Sequence, residues 1–69
     1  MNKTKYPELV NQMTLRNERL RNLAELLNVN ISQISRRLTG ETKFTVDEAE
    51  ILMKHYNLDF ETLFKRKEE

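Results

Sequence analysis

The chain has 69 residues, enough for one small domain with a thin hydrophobic core. It contains no cysteine and a single histidine, which excludes a disulfide framework and leaves too few soft ligands for a zinc site. Basic and acidic side chains nearly balance, 12 against 11, whereas nucleic-acid-binding domains usually have a clear basic excess.

The start of the chain predicts a short tail followed by an amphipathic helix. We expect residues 1–6 to be a flexible tail, 7–66 to form the domain and 67–69 to be a second tail. Pro7 suits the first position of a helix, because the N–H that proline lacks would be unpaired there. The helix runs to about Arg16, and its core face carries Leu9, Val10 and Met13.

The boundary between the first two helices can be placed in two ways. Asn17 followed by Glu18 indicates a break and then the acidic first turn of a second helix. The segment contains no glycine or proline, however, and Met13, Leu20 and Leu23 also fit one longer helix.

The second helix leads into a tight turn. Four apolar side chains recur on one of its faces, namely Leu20, Leu23, Ala24 and Leu27. Asn28 suits the left-handed conformation that commonly ends a helix. Val29 is the one apolar residue of the turn and is placed to fold back onto the core.

A third helix follows the turn. Asn30 is expected to cap it, with Gln33 as the partner in a capping box. Ile34 and Leu38 lie one turn apart and are expected to be buried, and Gly40 closes the helix. The remaining side chains face outward: Ile31, Ser32, Gln33, Ser35, Arg36 and Arg37.

The stretch LAELLNVNISQISRRLTG, residues 23–40, resembles the DNA-binding motif of the Cro/C1-type regulators, also called the xenobiotic-response-element family. The likeness rests on the LA pair, the valine after the turn, and the IS and R residues before the final glycine. It implies an all-α fold, a compact five-helix bundle in which helices 2 and 3 form a helix-turn-helix, laid on residues from about Leu9 to Phe64. It also implies that the third helix enters the major groove of DNA.

Two positions depart from the family pattern. Leu20 stands where these motifs often carry glutamine, whose amide anchors a phosphate, and Arg19 or Arg21 could supply a charge instead. The family usually has an apolar residue followed by a polar one where this chain has Arg37 and then Leu38. The core contact is therefore expected to move by one residue, which turns the helix slightly.

Two more helices complete the predicted bundle. Thr45 and Glu48 form a capping box for the fourth helix, whose core face carries Val46, Ala49, Leu52, Met53 and Tyr56. Asn57 ends this helix and Asp59 caps the fifth, whose apolar side consists of Phe60, Leu63 and Phe64. The last helix is so short that one of these phenylalanines could remain exposed and serve a dimer contact. His55 is expected to be a polar surface residue.

The candidate binding residues lie in and beside the third helix: Arg21, Asn30, Ile31, Ser32, Gln33, Ser35, Arg36 and Arg37. Serine, glutamine and arginine side chains carry the donors and acceptors that read base edges and phosphates. Ile31 could touch a thymine methyl group or anchor a protein interface. Residues 1–40 carry seven basic and three acidic side chains, and residues 41–69 carry five and eight, so the basic half contains these candidates.

The resemblance therefore predicts a small phage-type transcription regulator that acts in a genetic switch and reads operator DNA with its third helix. Binding by one copy is expected to be weak, and a second copy is expected because one helix reads only a half-site. No apolar run approaches the ~18 residues of a membrane span, so we expect a cytoplasmic protein in a bacterial host, on or near DNA.

The alternative is a protein-binding modulator that keeps the fold but acts on a repressor. The chain resembles, in size and type, the small phage switch proteins of Gram-positive hosts called modulators of repression. Such a protein could cover the basic DNA-reading face of a phage repressor with an acidic surface around Glu41, Asp47, Glu48 and Glu50. The near-zero net charge, Leu20 and the outward Ile31 favour this alternative over a strong autonomous DNA binder.

Enzymatic activity is not expected. The sequence offers no nucleophile–base arrangement, no glycine-rich phosphate loop and no metal-ligand spacing. We therefore expect no cofactor, no metal and no small-molecule substrate.

Overall fold

The computed structural model describes residues 4–65, and the helices in this range are α1 (Pro7–Leu15), α2 (Leu20–Leu27), α3 (Ile31–Thr39), α4 (Val46–Tyr56) and α5 (Phe60–Leu63). No strand occurs among these residues, so the predicted all-α fold is confirmed. The Cα radius of gyration is 10.8 Å, close to the ~11 Å expected of a compact chain of this length.

The break between α1 and α2 falls at Asn17, whose φ of 58° lies in the left-handed region. The two-helix interpretation is therefore confirmed, with Leu9 and Met13 as the buried residues of α1. The expected role of Glu18 is wrong, since α2 begins only at Leu20 and has no acidic residue in its first turn. The Glu18 carboxylate instead bonds to side chains of α4.

The turn between α2 and α3 has the predicted backbone. Asn28 is left-handed, with φ 60°, and the Val29 N–H donates to the Ala24 carbonyl at 2.9 Å, which brings the chain back across the end of α2. Asn30 occupies the N-cap position of α3 in an extended conformation. Of all helix pairs, α2 and α3 make the most extensive contact. Leu23, Ala24 and Leu27 of α2 are buried in the same hydrophobic cluster as Ile34 and Leu38 of α3.

Residues 4–6 are packed against the bundle, so the expected flexible tail is wrong for this segment. The Thr4 hydroxyl and the Lys5 N–H both donate to the Leu38 carbonyl, at 3.2 and 2.7 Å, and occupy an acceptor at the end of α3. Tyr6 is buried. Residues 1–3 and 66–69, which include the rest of both predicted tails and the end of the predicted domain, lie outside the described residues.

The core is made by one buried cluster to which all five helices contribute. Leu52 and Tyr56 of α4 and Leu63 of α5 are buried in it, as predicted. Val46, which is expected on the core face of α4, is the first residue of the helix and is 75% exposed, so this prediction is wrong. Within residues 4–65, no helix has the length and apolar character needed to cross a membrane.

Candidate functional site

The outward face of α3 carries polar side chains that nothing in the bundle covers. Ile34 and Leu38 are fully buried on the opposite face, which turns Ser32, Ser35 and Arg36 to solvent. Asn30 occupies the N-cap position of the helix but its side chain makes no cap hydrogen bond, and Gly40, with φ 88°, ends the helix. The left-handed backbone conformation at this position favours glycine. The bundle thus fixes the direction in which these polar groups point.

One face of α2, the turn that follows it and the beginning of α3 line one shallow depression of about 570 Å³. It brings together four of the predicted site residues, Arg21, Asn30, Ile31 and Ser32. All four are exposed, and Ile31 is 48% exposed. The first turn of α3 has no acidic residue, but the exposed Glu25 carboxylate of α2 lines the same depression.

Gln33 contributes to the helix cap. Its side-chain Oε1 accepts the Asn30 N–H at 2.9 Å, which confirms that half of the predicted capping box. The side chain is half-buried on the flank of α3. Its carbonyl oxygen is therefore committed to the cap, and the predicted DNA contact would have to use the amide nitrogen.

Arg37 does not face outward as predicted. It lies on the flank of α3 that is turned toward α4, where its Nε is 3.0 Å from Oε1 of Glu48 and the two side chains are 13% and 11% exposed. The Nε and Nη1 atoms are buried without a hydrogen-bond partner among the described residues, so the attraction to Glu48 is mainly ionic. Arg37 therefore links α3 to α4 through its ion pair with Glu48, and its charge is not presented to solvent.

Glu48 does not belong to the predicted acidic surface, because it pairs with Arg37 inside the bundle. Glu48 is buried, and besides Arg37 it is bonded to Thr45, whose N–H it accepts and whose hydroxyl accepts the Glu48 N–H, both at 3.1 Å. The capping box of α4 is thus confirmed, and the carboxylate that forms it is unavailable to a partner. Glu41, Asp47 and Glu50 are exposed.

A second polar cluster joins the loop after α1 to the end of α4. Glu18 accepts hydrogen bonds from His55 Nε2, at 2.7 Å, and from the buried Tyr56 hydroxyl. The Arg16 guanidinium lies over the Tyr56 ring, 4.9 Å from its centroid, and donates to the His55 carbonyl at 3.0 Å. His55 is half-buried and bonded to a carboxylate, which corrects its assignment as a simple surface residue.

The ionisation of this cluster follows from its geometry. Burial alone would raise the pKa of Glu18, but the hydrogen bonds from Tyr56 and His55, with the charges of His55 and Arg16, lower it below its ordinary value. Burial is the main cause that raises the pKa of the Tyr56 hydroxyl, and the hydrogen bond to the negatively charged Glu18 raises it further. The hydroxyl therefore stays protonated. Glu18 is therefore a charged acceptor that fastens α4 to the loop.

Comparison with protein-family models, with curated proteins and with solved structures gave no match. The likeness to Cro/C1-type regulators thus stays a prediction carried by residues 23–40.

The described residues also contain no group of three or more histidine, cysteine, aspartate or glutamate side chains placed to hold a metal ion.

The candidate site on α3 consists of hydroxyl groups, one free guanidinium and one exposed aliphatic side chain. Arg19, at the N-cap of α2, is also exposed and adds a cation two residues before Arg21. These groups are suited to reversible binding of an anionic or polar surface.

Proposed function

We propose that the protein is a DNA-binding transcription regulator whose α3 enters the major groove. The observation that supports it most is the outward face of α3, where Ser32, Ser35 and Arg36 are exposed while Ile34 and Leu38 fix the helix from behind. A rigid helix with such groups on its free face can reach base edges, since the major groove is about as wide as a helix.

In this proposal the site residues take different roles. Arg36 and the two serines face bases or nearby phosphates. Arg21, which lies beside the start of α3, and the exposed Arg19 contact the DNA backbone. The N-terminus of α3, which has no acidic residue in its first turn, attracts phosphate further. Arg37 is excluded from this set, because its pairing with Glu48 removes it from the surface.

Because few cations lie on this face, we expect one copy of the protein to bind DNA weakly. One copy reads a half-site, so we propose that two copies occupy the operator, or that another protein adds contacts. We place this activity in the cytoplasm of a bacterial host, in a switch of the kind found in temperate phages.

The proposal is tested by selecting bound sequences from a randomised DNA duplex library. We expect a short consensus that is enriched by the wild-type protein and lost or relaxed at one position by Arg36→Ala. Lys54→Ala is the matched control, because it removes one exposed cation from α4 and leaves α3 unchanged. Enrichment that is equal for all three proteins, or absent from all, would contradict DNA reading by α3.

A second candidate function is that of a modulator that binds a repressor protein. The observation that favours it is Ile31, whose side chain is 48% exposed amid the polar groups of α3, an arrangement common in protein interfaces. Its test is a binding assay between the purified protein and the repressor of the same genetic switch, in the presence of nuclease. A nuclease-resistant complex that Ile31→Ser disrupts would support the modulator, and a complex lost with nuclease treatment would count against it.

A further inference from the structure

The third helix is held from behind along a narrow line. Ile34 and Leu38 are its fully buried residues, and at about 100° of rotation per residue they lie only about 40° apart around the helix. Among the described helices, α3 packs far more closely against α2 than against α4. So narrow a line of packing fixes the place of the helix axis better than it fixes rotation about that axis.

The ion pair between Arg37 and Glu48 supports α3 from the side. Arg37 lies on the flank of the helix, about 100° around it from the buried Leu38 and about 100° from the outward Arg36. Its Nε is 3.0 Å from Oε1 of Glu48. The same oxygen accepts the Thr45 N–H at 3.1 Å, so the carboxylate is held at the first turn of α4. The pair therefore ties the flank of α3 to a fixed point on another helix.

Rotation of α3 would misplace the groups on its outward face. Side chains reach about 5–6 Å from a helix axis, so a rotation of about 20° moves their ends by about 2 Å. A hydrogen bond tolerates only about 0.5 Å of variation in length, and contacts to base edges would be lost. Attraction to phosphate falls off gradually with distance and would change little.

We propose that the Arg37–Glu48 pair sets the rotation of α3 about its axis and thereby the sequence specificity of DNA binding. This inference rests on the proposed function of α3 and adds what determines the sequence that α3 selects. The two residues are positioning residues that act through Arg36 and the two serines, because their own side chains are about nine-tenths buried. Fixing one arrangement among several is the best-attested use of buried polar and ionic groups, whose net contribution to stability is often small.

The test removes both charges together, so that no buried charge is left unpaired. Arg37→Met combined with Glu48→Gln abolishes the pair, while the glutamine keeps an oxygen that can accept the Thr45 N–H. Arg37→Gln combined with Glu48→Gln replaces it should the first double variant fail to fold. Leu63→Val is the matched control, because it trims a fully buried side chain of α5 and lowers stability without touching the link between α3 and α4.

The orientation of α3 is measured first, without DNA. Residual dipolar couplings of the backbone amides are recorded by NMR on the isotopically labelled, weakly aligned protein. We expect the couplings of α3 in the double variant to depart from the wild-type orientation, while those of α4 and α5 still fit it. In Leu63→Val the couplings of all three helices should fit the wild-type orientation.

Specificity is measured second, by fluorescence anisotropy. The quantity compared is the ratio of the affinity for the consensus duplex selected by the wild type to the affinity for an unrelated duplex. In the double variant this ratio should fall by at least about tenfold, because one lost base contact already has an effect of that order. The affinity for the unrelated duplex should stay within about twofold, since no phosphate-binding cation is removed. Leu63→Val should keep the wild-type ratio.

The outcomes separate this inference from the proposed function. Unchanged orientation of α3 in the double variant, an unchanged specificity ratio, or equal losses in the double variant and in Leu63→Val would each overturn the positioning role. A wild type that selects no consensus would overturn DNA reading by α3 and the role in specificity together. The dipolar couplings identify that case, because α3 then rotates in the double variant although the wild type selects no sequence.

Discussion

Removing the charge of Glu48 should destabilise the fold more than any exposed charge change, because Arg37 would be left as an unpaired buried cation. Glu48→Gln keeps an amide oxygen that can still accept the Thr45 N–H, so the helix cap survives and only the ion pair is lost. Breaking a fully buried pair typically costs ~3–5 kcal/mol. Since about a tenth of each side chain is exposed to water, we expect about 2–3 kcal/mol here.

This cost is large for so small a domain. The free energy of unfolding of 69 residues is on the order of 3–10 kcal/mol, and the change corresponds to a fall in Tm of roughly 10–20 °C. Arg37→Met should cost a similar amount, because it leaves Glu48 without its cation. The double variant should recover most of the loss, with a coupling free energy of at least about 1.5 kcal/mol.

Thermal and urea unfolding, followed by circular dichroism, measure all four proteins of this cycle. Glu50→Gln is the matched control, because it makes the same chemical change on the exposed side of α4 and should stay within about 0.5 kcal/mol of the wild type. A Glu48→Gln protein that unfolds like this control, or a double variant whose loss is the sum of the two single ones, would refute the structural role of the pair.

Two further predictions concern the core and its pH dependence. Ala24→Glu should abolish cooperative unfolding, since Ala24 is 4% exposed and a glutamate there would force a longer, charged side chain into the buried core; a Tm within a few degrees of wild type would contradict the packing. The lowered pKa of Glu18 contributes stability that is present above the ordinary glutamate pKa of ~4.3 and is lost as the pH falls through the folded value. Unfolding free energy measured from pH 6 to pH 3 should therefore decrease in the wild type and decrease less in Glu18→Gln, and parallel curves would contradict this assignment.

Local rules were sufficient to predict most of the helix ends, although they did not place the start of α2. Pro7 starts α1, Thr45 caps α4 through its hydroxyl, and Asn28 and Asn57 end helices in the left-handed conformation. Each of these signals acts within a few residues of the chain, so it is legible in the sequence. The helical spacing of Leu23, Ala24 and Leu27, which predicts that they are buried, is also a pattern within a few residues of the chain.

Contacts between distant residues were not predictable in this way. Arg37 and Glu48 are each polar, so periodicity alone placed both on the surface, and only the packing of α3 against α4 brings them together. Tyr6 is buried because residues 4–6 cross the end of α3, which a polar tail sequence does not reveal. The exposure of Val46 was not predicted, because Val46 fits the apolar period of α4 and periodicity does not show which positions a neighbouring helix covers.

The most direct test of DNA binding by α3 is a salt titration of the purified protein on duplex DNA from its own regulatory region, followed by fluorescence anisotropy. We expect a Kd of ~10⁻⁴ to 10⁻⁶ M at physiological salt. Contacts from Arg19, Arg21 and Arg36 should give a slope of log affinity against log salt of about −2.7, which Arg36→Ala should flatten by about 0.9 if it contacts phosphate. Affinity and slope that are both unchanged by Arg36→Ala, or no binding even at low salt, would contradict the proposal.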